Sequence, residues 1–327
     1  MQLYCTLFDK NYITRGLAMQ RSLMAWNPDS QLIVLCLDQA TFDALSVLEL
    51  PRVDLVTVQS LEQFDSGLAE VRPHRKPVEY YWNCKPVLMK YCFAKYPSAT
   101  WTTYLDSDLF FFGDLASLAA ERDGSAVALT PHRFPPRLQD RLQYGRFNAG
   151  WVGASSGADG IRFIEWWRTR CLEWCHAVVD GDRFGDQKYL DRVPELFSGV
   201  CAIEHRGANL APWNVDGCSI TTANGRVYVD GVPLMFFHFH ALRSMFYRLY
   251  DSGLSDYGVA ITPQVRKLIY RPYLKALARS EKTLSALPRD LRRQLPVRAS
   301  AVRLRDWPDQ LRQARRLIRN GAQVVWQ

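Results

Sequence analysis

The sequence predicts an α/β fold with a largely parallel sheet. Segments typical of strands and of helices alternate over the first hundred residues, an order that favours parallel strands covered by helices. The strand-like segments are continuous apolar runs such as "QLIVLCL" rather than alternating ones. Continuous runs indicate that both faces of the sheet are covered.

The predicted elements alternate regularly as far as a fourth strand. Helical spacing of apolar residues marks three helices, namely "ITRGLAMQRSLMAW", "ATFDALSVL" and "WNCKPVLMKYCFAKY". The strands between and around them are "LYCTLFD", "QLIVLCL", "VDLVTVQ" and "ATWTTYLD".

The pattern is less regular beyond Asp108. It predicts short strands at "SAVALT" and "RFNAGWVGAS", a long helix at "GIRFIEWWRTRCLEWCHAVV", and a hairpin at "VYVDGVPLMFFHFHAL" with Asp-Gly at the turn. We expect a main domain over residues 1–260. Residues 261–327 are predicted as a basic amphipathic helical extension, with helices separated at Pro288 and Pro296.

The net charge of +8 is concentrated in this extension. Residues 266–327 contain 16 Lys/Arg and 4 Asp/Glu and so carry +12, whereas residues 1–265 carry −4. A basic amphipathic helix can lie on an anionic membrane surface. It can also be a solvated face packed on the main domain, or a dimer contact, and the sequence leaves these alternatives open.

Several classes of protein are disfavoured by composition. There is no apolar run of membrane-spanning length, and the N-terminus lacks the features of a secretory signal. The eight cysteines are scattered without a CxxC pair, so we expect reduced, mostly buried thiols. These features predict a cytoplasmic chain, peripheral on the inner face of the membrane if the extension binds lipid.

Two acids interrupt the apolar stretch "TTYLDSDLFFFGD" at residues 102–114. Asp106 follows the fourth predicted strand directly, and ligands of open α/β sheets bind beyond the carboxyl ends of strands. In an extended segment Asp106 and Asp108 point to the same face. Buried carboxylates need a partner, and a pair of them suits Mg²⁺ or Mn²⁺ holding a diphosphate. The alternative is a simple turn at the end of the strand.

The segment "FFHFH" places His238 and His240 on one face of an apolar strand. Neutral imidazole is a good ligand for Mn²⁺-type sites. The alternative is a pair of hydrogen-bonded core histidines.

Two further segments carry polar residues or glycines at positions suited to ligand binding. "GDQKYLD" places Asp186 and Gln187 at the start of a helix, where the alternative is N-capping. "FNAGWVG" holds Asn148 and Gly150 where the backbone can approach a sugar closely, and the alternative is a glycine required by packing.

In this order, the segments resemble a metal-dependent nucleotide-sugar glycosyltransferase with the GT-A fold, a Rossmann-like mixed sheet flanked by helices. The chain most resembles the family 8-like retaining transferases, the glycogenin and lipopolysaccharide galactosyl- or glucosyltransferase group, over about residues 2–245. The resemblance implies a hexosyltransferase that uses Mn²⁺ or Mg²⁺ and a nucleoside diphosphate sugar, with UDP-sugar favoured. The implied acceptor is a glycan or lipid-linked glycan, as in synthesis of cell-surface polysaccharide.

The resemblance also implies roles for individual residues. The implied metal ligands are Asp106, Asp108, His238 and His240. The residues implied near the reacting carbon are Asp186 and Gln187. The implied nucleotide- and donor-binding residues are Thr6, Asp9, Tyr12, Lys85, Asp106, Ser107, Asn148 and Gly150.

The sequence departs from the family after the late histidine. The family continues with glycine and then Lys-Pro-Trp, whereas this chain has "HFHALRSMFYRLY". Arg243 or Arg248 would then replace the lysine that contacts the diphosphate. Inversion of configuration, with Asp186 as the base, is the alternative to retention.

Three other functions are alternatives to a glycosyltransferase. A nucleic-acid-binding protein would use the basic extension, but residues 1–265 are net acidic and carry no recognised binding motif, so no nucleic acid is expected. A metal-dependent phosphohydrolase would use an Asp-x-Asp loop, but such loops follow the first strand. An inactive relative would serve as a scaffold, yet both acids, both histidines and the Asp-Gln pair are present.

Overall fold

The computed structural model describes residues 2–246, 249–296, 312, 315 and 323–326. The strands are β1 Leu3–Phe8, β2 Gln31–Cys36, β3 Val53–Thr57, β4 Trp101–Leu105, β5 Leu109–Phe111, β6 Val127–Pro131, β7 Phe147–Ser155, β8 Val200–Ala202, β9 Ile220–Ala223, β10 Arg226–Val229, β11 Val232–Pro233, β12 Phe236–His238, β13 Arg243–Phe246, β14 Leu249–Asp251 and β15 Val324–Trp326. The α-helices are α1 Ile13–Trp26, α2 Gln39–Leu48, α3 Val58–Phe64, α4 Ser66–Val71, α5 Pro77–Lys95, α6 Ala116–Glu121, α7 Ala158–Glu173, α8 Val193–Leu196, α9 Pro263–Val265, α10 Arg271–Ser285 and α11 Arg289–Gln294.

The chain forms two compact units, each built from separate segments. The first comprises Met1–Ile13, Asn27–Ser107 and Asp114–His205. The second comprises Thr14–Trp26, Asp108–Gly113 and Arg206–Gln327.

A seven-stranded mixed sheet forms the centre of the first unit. Its strand order is β3-β2-β1-β4-β7-β6-β8. Strand β1 pairs in parallel with β2 and β4, and β2 pairs in parallel with β3. Strand β7 is antiparallel to both β4 and β6, and β8 is parallel to β6. The α/β fold with a mixed sheet is therefore confirmed.

The central strands of the sheet are covered on both faces. All residues of β1 and β4 are buried, as continuous apolar runs predict for strands with both faces covered. Helices α5 and α7 supply buried residues to the same core, including Val87, Met89, Phe163 and Trp167. All seven strands and helices predicted up to β4 are present, and six of them lie within two residues of their predicted bounds. Helix α5 begins at Pro77, five residues before its predicted start at Trp82.

Helix α5 carries Lys85 into the core of the first unit. It begins with Pro77, whose missing N–H costs nothing at the first helical position. Glu79 accepts hydrogen bonds from the backbone N–H groups of Lys76 and Ala177, at 2.9 and 3.0 Å. These bonds fix where the helix starts and therefore which residues it turns inward.

The second unit consists of small sheets and helices around an aromatic core. Strand β12 pairs with β5, β9 to β11 form a three-stranded sheet, and β13 to β15 form another. The predicted Asp-Gly hairpin is confirmed, because β10 and β11 pair across Asp230 and Gly231, which have φ values of 50° and 83°. Phe239 stacks on Tyr273 with 3.8 Å between ring centroids.

Two predicted helices differ in the structure. Helix α7 ends at Glu173 rather than continuing through "WCHAVV", because Trp174 is extended and its carbonyl accepts a bond from the hydroxyl of Tyr189. In the extension, α10 and α11 are helical as expected, but Val324–Trp326 form a strand paired with β14. Residues 297–311, 313, 314, 316–322 and 327 of the predicted extension lie outside the described residues.

No described helix combines the length and the apolar character needed to cross a bilayer. The eight cysteines are all free, and six of them are buried. The prediction of mostly buried thiols is therefore confirmed.

Candidate active site

Lys85 holds two carboxylates together in the first unit. Its Nζ lies 3.3 Å from Asp106 Oδ1 and 3.1 Å from Asp186 Oδ2. It also donates to the carbonyl of Ala149 at 3.3 Å. The side chains of Lys85 and Asp186 are only 5% and 4% exposed, while that of Asp106 is 27% exposed. Three residues predicted as separate donor-site and catalytic groups thus form one ionic cluster.

Burial and charge act against each other in this cluster. Burial disfavours the ammonium form of Lys85, but the two carboxylates outweigh it and raise the pKa of Lys85 above its usual value. Burial also raises the pKa of Asp186, and the neighbouring Lys85 offsets this only in part. The lysine therefore stays charged at neutral pH and neutralises part of the acidic charge around it.

Asp106 lies at the carboxyl end of β4, as the sequence predicts. The register of β4 against β7 pairs Leu105 with Trp151, and the N–H of Asp106 donates to the carbonyl of Gly150 at 2.8 Å. The hydroxyl of Tyr104 donates to Asp106 Oδ1 at 2.9 Å. These contacts orient the carboxylate, and they show that Gly150 contributes its carbonyl to the position of Asp106.

An amide network lies beside this cluster. Gln187 Oε1 accepts from Asn148 Nδ2 at 3.2 Å and from the N–H of Ala149 at 3.1 Å. Its Nε2 donates to the carbonyl of Tyr144 at 2.9 Å. Asn148 Oδ1 in turn accepts from the N–H of Gly150 at 3.1 Å. Gln187 therefore stabilises the start of β7, and its predicted role near a reacting carbon stays a prediction.

Of the predicted nucleotide-binding residues of the N-terminal segment, Thr6 lies within β1, whereas Asp9 and Tyr12 follow its carboxyl end. Thr6 is fully buried within the strand. Asp9 Oδ1 accepts from the N–H groups of Asn11 and Tyr12 in a tight turn, and Tyr12 is 42% exposed. The turn presents Asp9 and Tyr12 at the edge where ligands of α/β sheets bind.

In the second unit, Asp108 pairs with His238. The antiparallel register of β5 and β12 places His238 opposite Leu109, and His238 Nε2 lies 3.1 Å from Asp108 Oδ1. Burial opposes ionisation of Asp108, but His238, with smaller contributions from Arg15 and His240, outweighs it and lowers the pKa of Asp108. A carboxylate and an imidazole are thus held together by strand pairing.

Asp106 lies two residues before Asp108 in the chain. Carboxylate oxygens of Asp106 and Asp108 and a ring nitrogen of His238 all lie within 4.8 Å of one another, so these residues form a group that could hold a metal ion. His240 is not a member of the group. It is exposed beyond the end of β12, with 5.9 Å between its ring centroid and that of His238.

Three residues of this region were not singled out from the sequence. Tyr104 hydrogen-bonds Asp106, and His132 Nε2 lies 3.3 Å from Asn148 Nδ2. Trp213 packs edge-on against His238, at 5.3 Å between centroids. Of the three, Trp213 could have been found from the sequence, because its segment "PWN" supplies the Pro-Trp of the family's Lys-Pro-Trp, although before the late histidine. A tyrosine inside a strand is typical of any sheet.

The arginines considered as substitutes for the missing lysine are placed differently. Arg243 forms ion pairs with Asp251 and Asp256, at 2.6 and 2.8 Å. Arg248 lies outside the described residues. Ser107, between the two acids, is buried.

Comparisons with known proteins agree with this architecture. No protein-family model matches the sequence. Two proteins of Bacillus subtilis (strain 168), both described as uncharacterized, are similar in sequence. YfnD is 33% identical over 279 residues, covering 84% of this chain and 88% of YfnD. YfnF is 33% identical over 248 residues, covering 73% of this chain and 81% of YfnF.

The solved structures that match include those of the galactosyltransferase LgtC. Its complex with donor and acceptor sugar analogues matches with a TM-score of 0.53 and 17% identity, covering 90% of this chain and 100% of LgtC. A structure of an LgtC active-site mutant matches with a TM-score of 0.52 and 15% identity, with the same coverage. The chain therefore belongs to the family of YfnD and YfnF, and its fold is the GT-A fold, resembling that of LgtC-like family 8 glycosyltransferases.

Proposed function

We propose that the protein is a metal-dependent glycosyltransferase that moves a sugar from a nucleoside diphosphate sugar to a glycan or lipid-linked acceptor. The observation that carries the proposal is the group formed by Asp106, Asp108 and His238 after the fourth strand of a GT-A sheet. In open α/β folds this edge of the sheet is where nucleotides bind.

The donor set of this group fits a divalent cation. Two carboxylates suit Mg²⁺ or Mn²⁺, and the added imidazole favours Mn²⁺, because Mg²⁺ prefers oxygen ligands. Asp106, Asp108 and His238 would hold the cation, which would in turn bind the diphosphate of the donor. When bound, such a cation acts as a Lewis acid that stabilises the charge on the leaving diphosphate.

The chain's own residues would support the reaction around that position. Lys85 keeps Asp106 and Asp186 together although both bear negative charge when ionised. Departure of the diphosphate leaves positive charge on the sugar, by analogy with glycosidases, and the carboxylate of Asp186 would stabilise it electrostatically. If the reaction inverts the configuration, Asp186 would instead accept the proton of the acceptor hydroxyl.

The donor would bind at the end of β1, and the acceptor at a membrane surface. The turn of Asp9 and Tyr12 at the end of β1 offers a carboxylate and an exposed ring for a ribose and a base, and resemblance to family 8 favours UDP. Asn148 and Gly150 would face the donor sugar. The basic residues of 266–327 favour an acceptor at an anionic membrane surface, such as a lipid-linked glycan of the cell surface.

Calorimetric titration with UDP, GDP, CDP and dTDP, each with and without Mn²⁺, tests the proposal. We expect one nucleotide to bind only in the presence of Mn²⁺, and this binding to be lost in Asp106→Asn. Asp29→Asn makes the same chemical change at a side chain that is 98% exposed and serves as the matched control.

Two results would contradict the proposal. One is the absence of binding by any nucleotide to a protein whose circular dichroism shows it folded. The other is unchanged metal-dependent binding by Asp106→Asn. Once the nucleotide is known, proton NMR of the product of the matching sugar donor distinguishes retention from inversion.

A further inference from the structure

The second unit contains a cavity of about 350 Å³ that the proposed reaction does not use. One face of α1 lines it, with residues at helical spacing from Ala18 to Trp26. The three phenylalanines 110–112 line another side, and α10 with the residues just before it lines a third, from Leu268 to Arg279. Its volume is within the range of small-molecule sites.

The charge of the lining is positive and is not compensated within it. Among the described residues that line it, Arg21 and Arg279 are the charged ones, and none is acidic. Arg21 Nη2 donates to Thr283 Oγ1 at 2.8 Å. Arg21 Nη1 is buried, and among the described residues it has no hydrogen-bond partner.

A buried N–H group of a guanidinium is unfavourable without an acceptor, unless something supplies one. Burial, and then the charge of Arg279, lower the pKa of Arg21. No described ion pair involves either arginine. An anion held between Arg21 and Arg279 would accept a hydrogen bond from Arg21 Nη1. It would also offset the repulsion between the two cations.

Apart from Ser22, the rest of the described lining is apolar. Its members with partly accessible side chains are Trp26, Phe110, Val227, Leu268, Pro272 and Ala276. Such a surface is suited to an aliphatic or aromatic body rather than to a hydrated ion alone.

We propose that this cavity binds an amphiphilic anion, a molecule with a phosphate or carboxylate head on an aliphatic chain. The head lies between Arg21 and Arg279, and the chain lies against Trp26, Phe110 and Ala276. The proposal does not depend on the glycosyltransferase activity, because none of the residues that carry it belongs to the metal group or to the cluster of Lys85.

A series of alkyl phosphates tests both halves of the proposal. Hexyl, octyl and decyl phosphate are titrated by calorimetry below their micelle concentrations, beside inorganic phosphate and uncharged decyl maltoside. We expect affinity to rise by about fourfold for each methylene buried, until the cavity is full. We expect the two controls to bind at least tenfold more weakly than decyl phosphate.

Two variants separate the head from the chain. Arg21→Gln should weaken every alkyl phosphate by about tenfold or more, by a similar factor for each chain length. Ala276→Trp fills the cavity while leaving both arginines, and should abolish the gain with chain length. Arg52→Gln, at an exposed arginine of the first unit, is the control. Thermal melts establish that each variant is folded, and Mn²⁺-dependent nucleotide binding should be the same in all of them.

Vesicles of phosphatidylcholine with or without phosphatidic acid identify the source of the ligand. Binding that requires phosphatidic acid and is lost in Arg21→Gln assigns the site to a membrane lipid, whereas binding of monomeric alkyl phosphates alone assigns it to a soluble amphiphile. Equal affinity for decyl maltoside would overturn the anion site. Equal affinity for inorganic phosphate would overturn the apolar part, and unchanged binding by folded Arg21→Gln and Ala276→Trp would overturn the whole proposal.

Discussion

Lys85 and Asp186 form an ion pair with 3.1 Å between Nζ and Oδ2, although their side chains are only 5% and 4% exposed. The two residues are 101 positions apart in the chain. Asp106 is the second carboxylate that contacts Lys85 in the first unit. Removing one partner of a buried ion pair leaves the other charge without compensation. The behaviour of this cluster is therefore sensitive to single substitutions.

Lys85→Met should lower the free energy of unfolding by about 3–5 kcal/mol, because two carboxylates lose their counter-charge. Urea denaturation measures the change. Lys90→Met is the matched control, since the pair of Lys90 with Glu165 is exposed and its loss should cost at most about 1 kcal/mol. Equal stability of Lys85→Met and the wild type would show that the cluster does not hold the fold.

His238→Ala should weaken Mn²⁺ binding by at least about tenfold, since loss of even an outer-shell partner has that effect in metal sites. His240→Ala should change it by less than about threefold, because His240 lies outside the group of ligand atoms. Titration followed by electron paramagnetic resonance of free Mn²⁺ measures both. Equal losses in the two variants would make His240 a ligand, as the sequence alone predicts.

Gln187→Ala should lower the free energy of unfolding by about 1–3 kcal/mol, because the N–H of Ala149 and the amide of Asn148 lose their acceptor. The rate of sugar transfer should fall with it, since β7 loses its support next to Asp106. Gln139→Ala, at an exposed amide, should change stability by less than about 0.5 kcal/mol. A fall in rate without any loss of stability would favour a direct catalytic role for Gln187.

The stability contributed by Glu79 should depend on pH. Burial opposes its ionisation, but the N–H groups of Ala177 and Lys76, with His176, outweigh burial and lower the pKa of Glu79. A lowered pKa in the folded state contributes stability above the unfolded pKa of about 4.3, and this contribution is lost as pH falls through the folded pKa. The difference in unfolding free energy between the wild type and Glu79→Gln should therefore be constant near neutral pH and shrink below about pH 4. Urea denaturation across this range measures it, and a difference that grows as pH falls would reverse the assignment.

Regular elements were predictable wherever local pattern and burial agree. Helix α1 has the predicted bounds, because its apolar residues recur at helical spacing. Strands β1 and β4 are buried as predicted, because short, mainly apolar runs are typical of strands covered on both faces. The predicted end of α7 was wrong, because Trp174 is extended and its carbonyl accepts a hydrogen bond from Tyr189. The helix predicted over Val324–Trp326 was wrong as well: the segment is a strand, and its pairing with β14 joins residues more than seventy positions apart.

The sequence by itself determined the α/β class, the acids after β4, and the late histidines, because those follow from period, burial and residue chemistry within short segments. Only the tertiary structure decided that Lys85 binds Asp106 and Asp186, that His238 rather than His240 joins the acids, and that Arg21 and Arg279 share a cavity. These relationships depend on strand register and on helix faces that meet across long stretches of chain. Electrostatic and hydrogen-bond partners are set by distances of a few ångströms, and local sequence spacing carries no information about them.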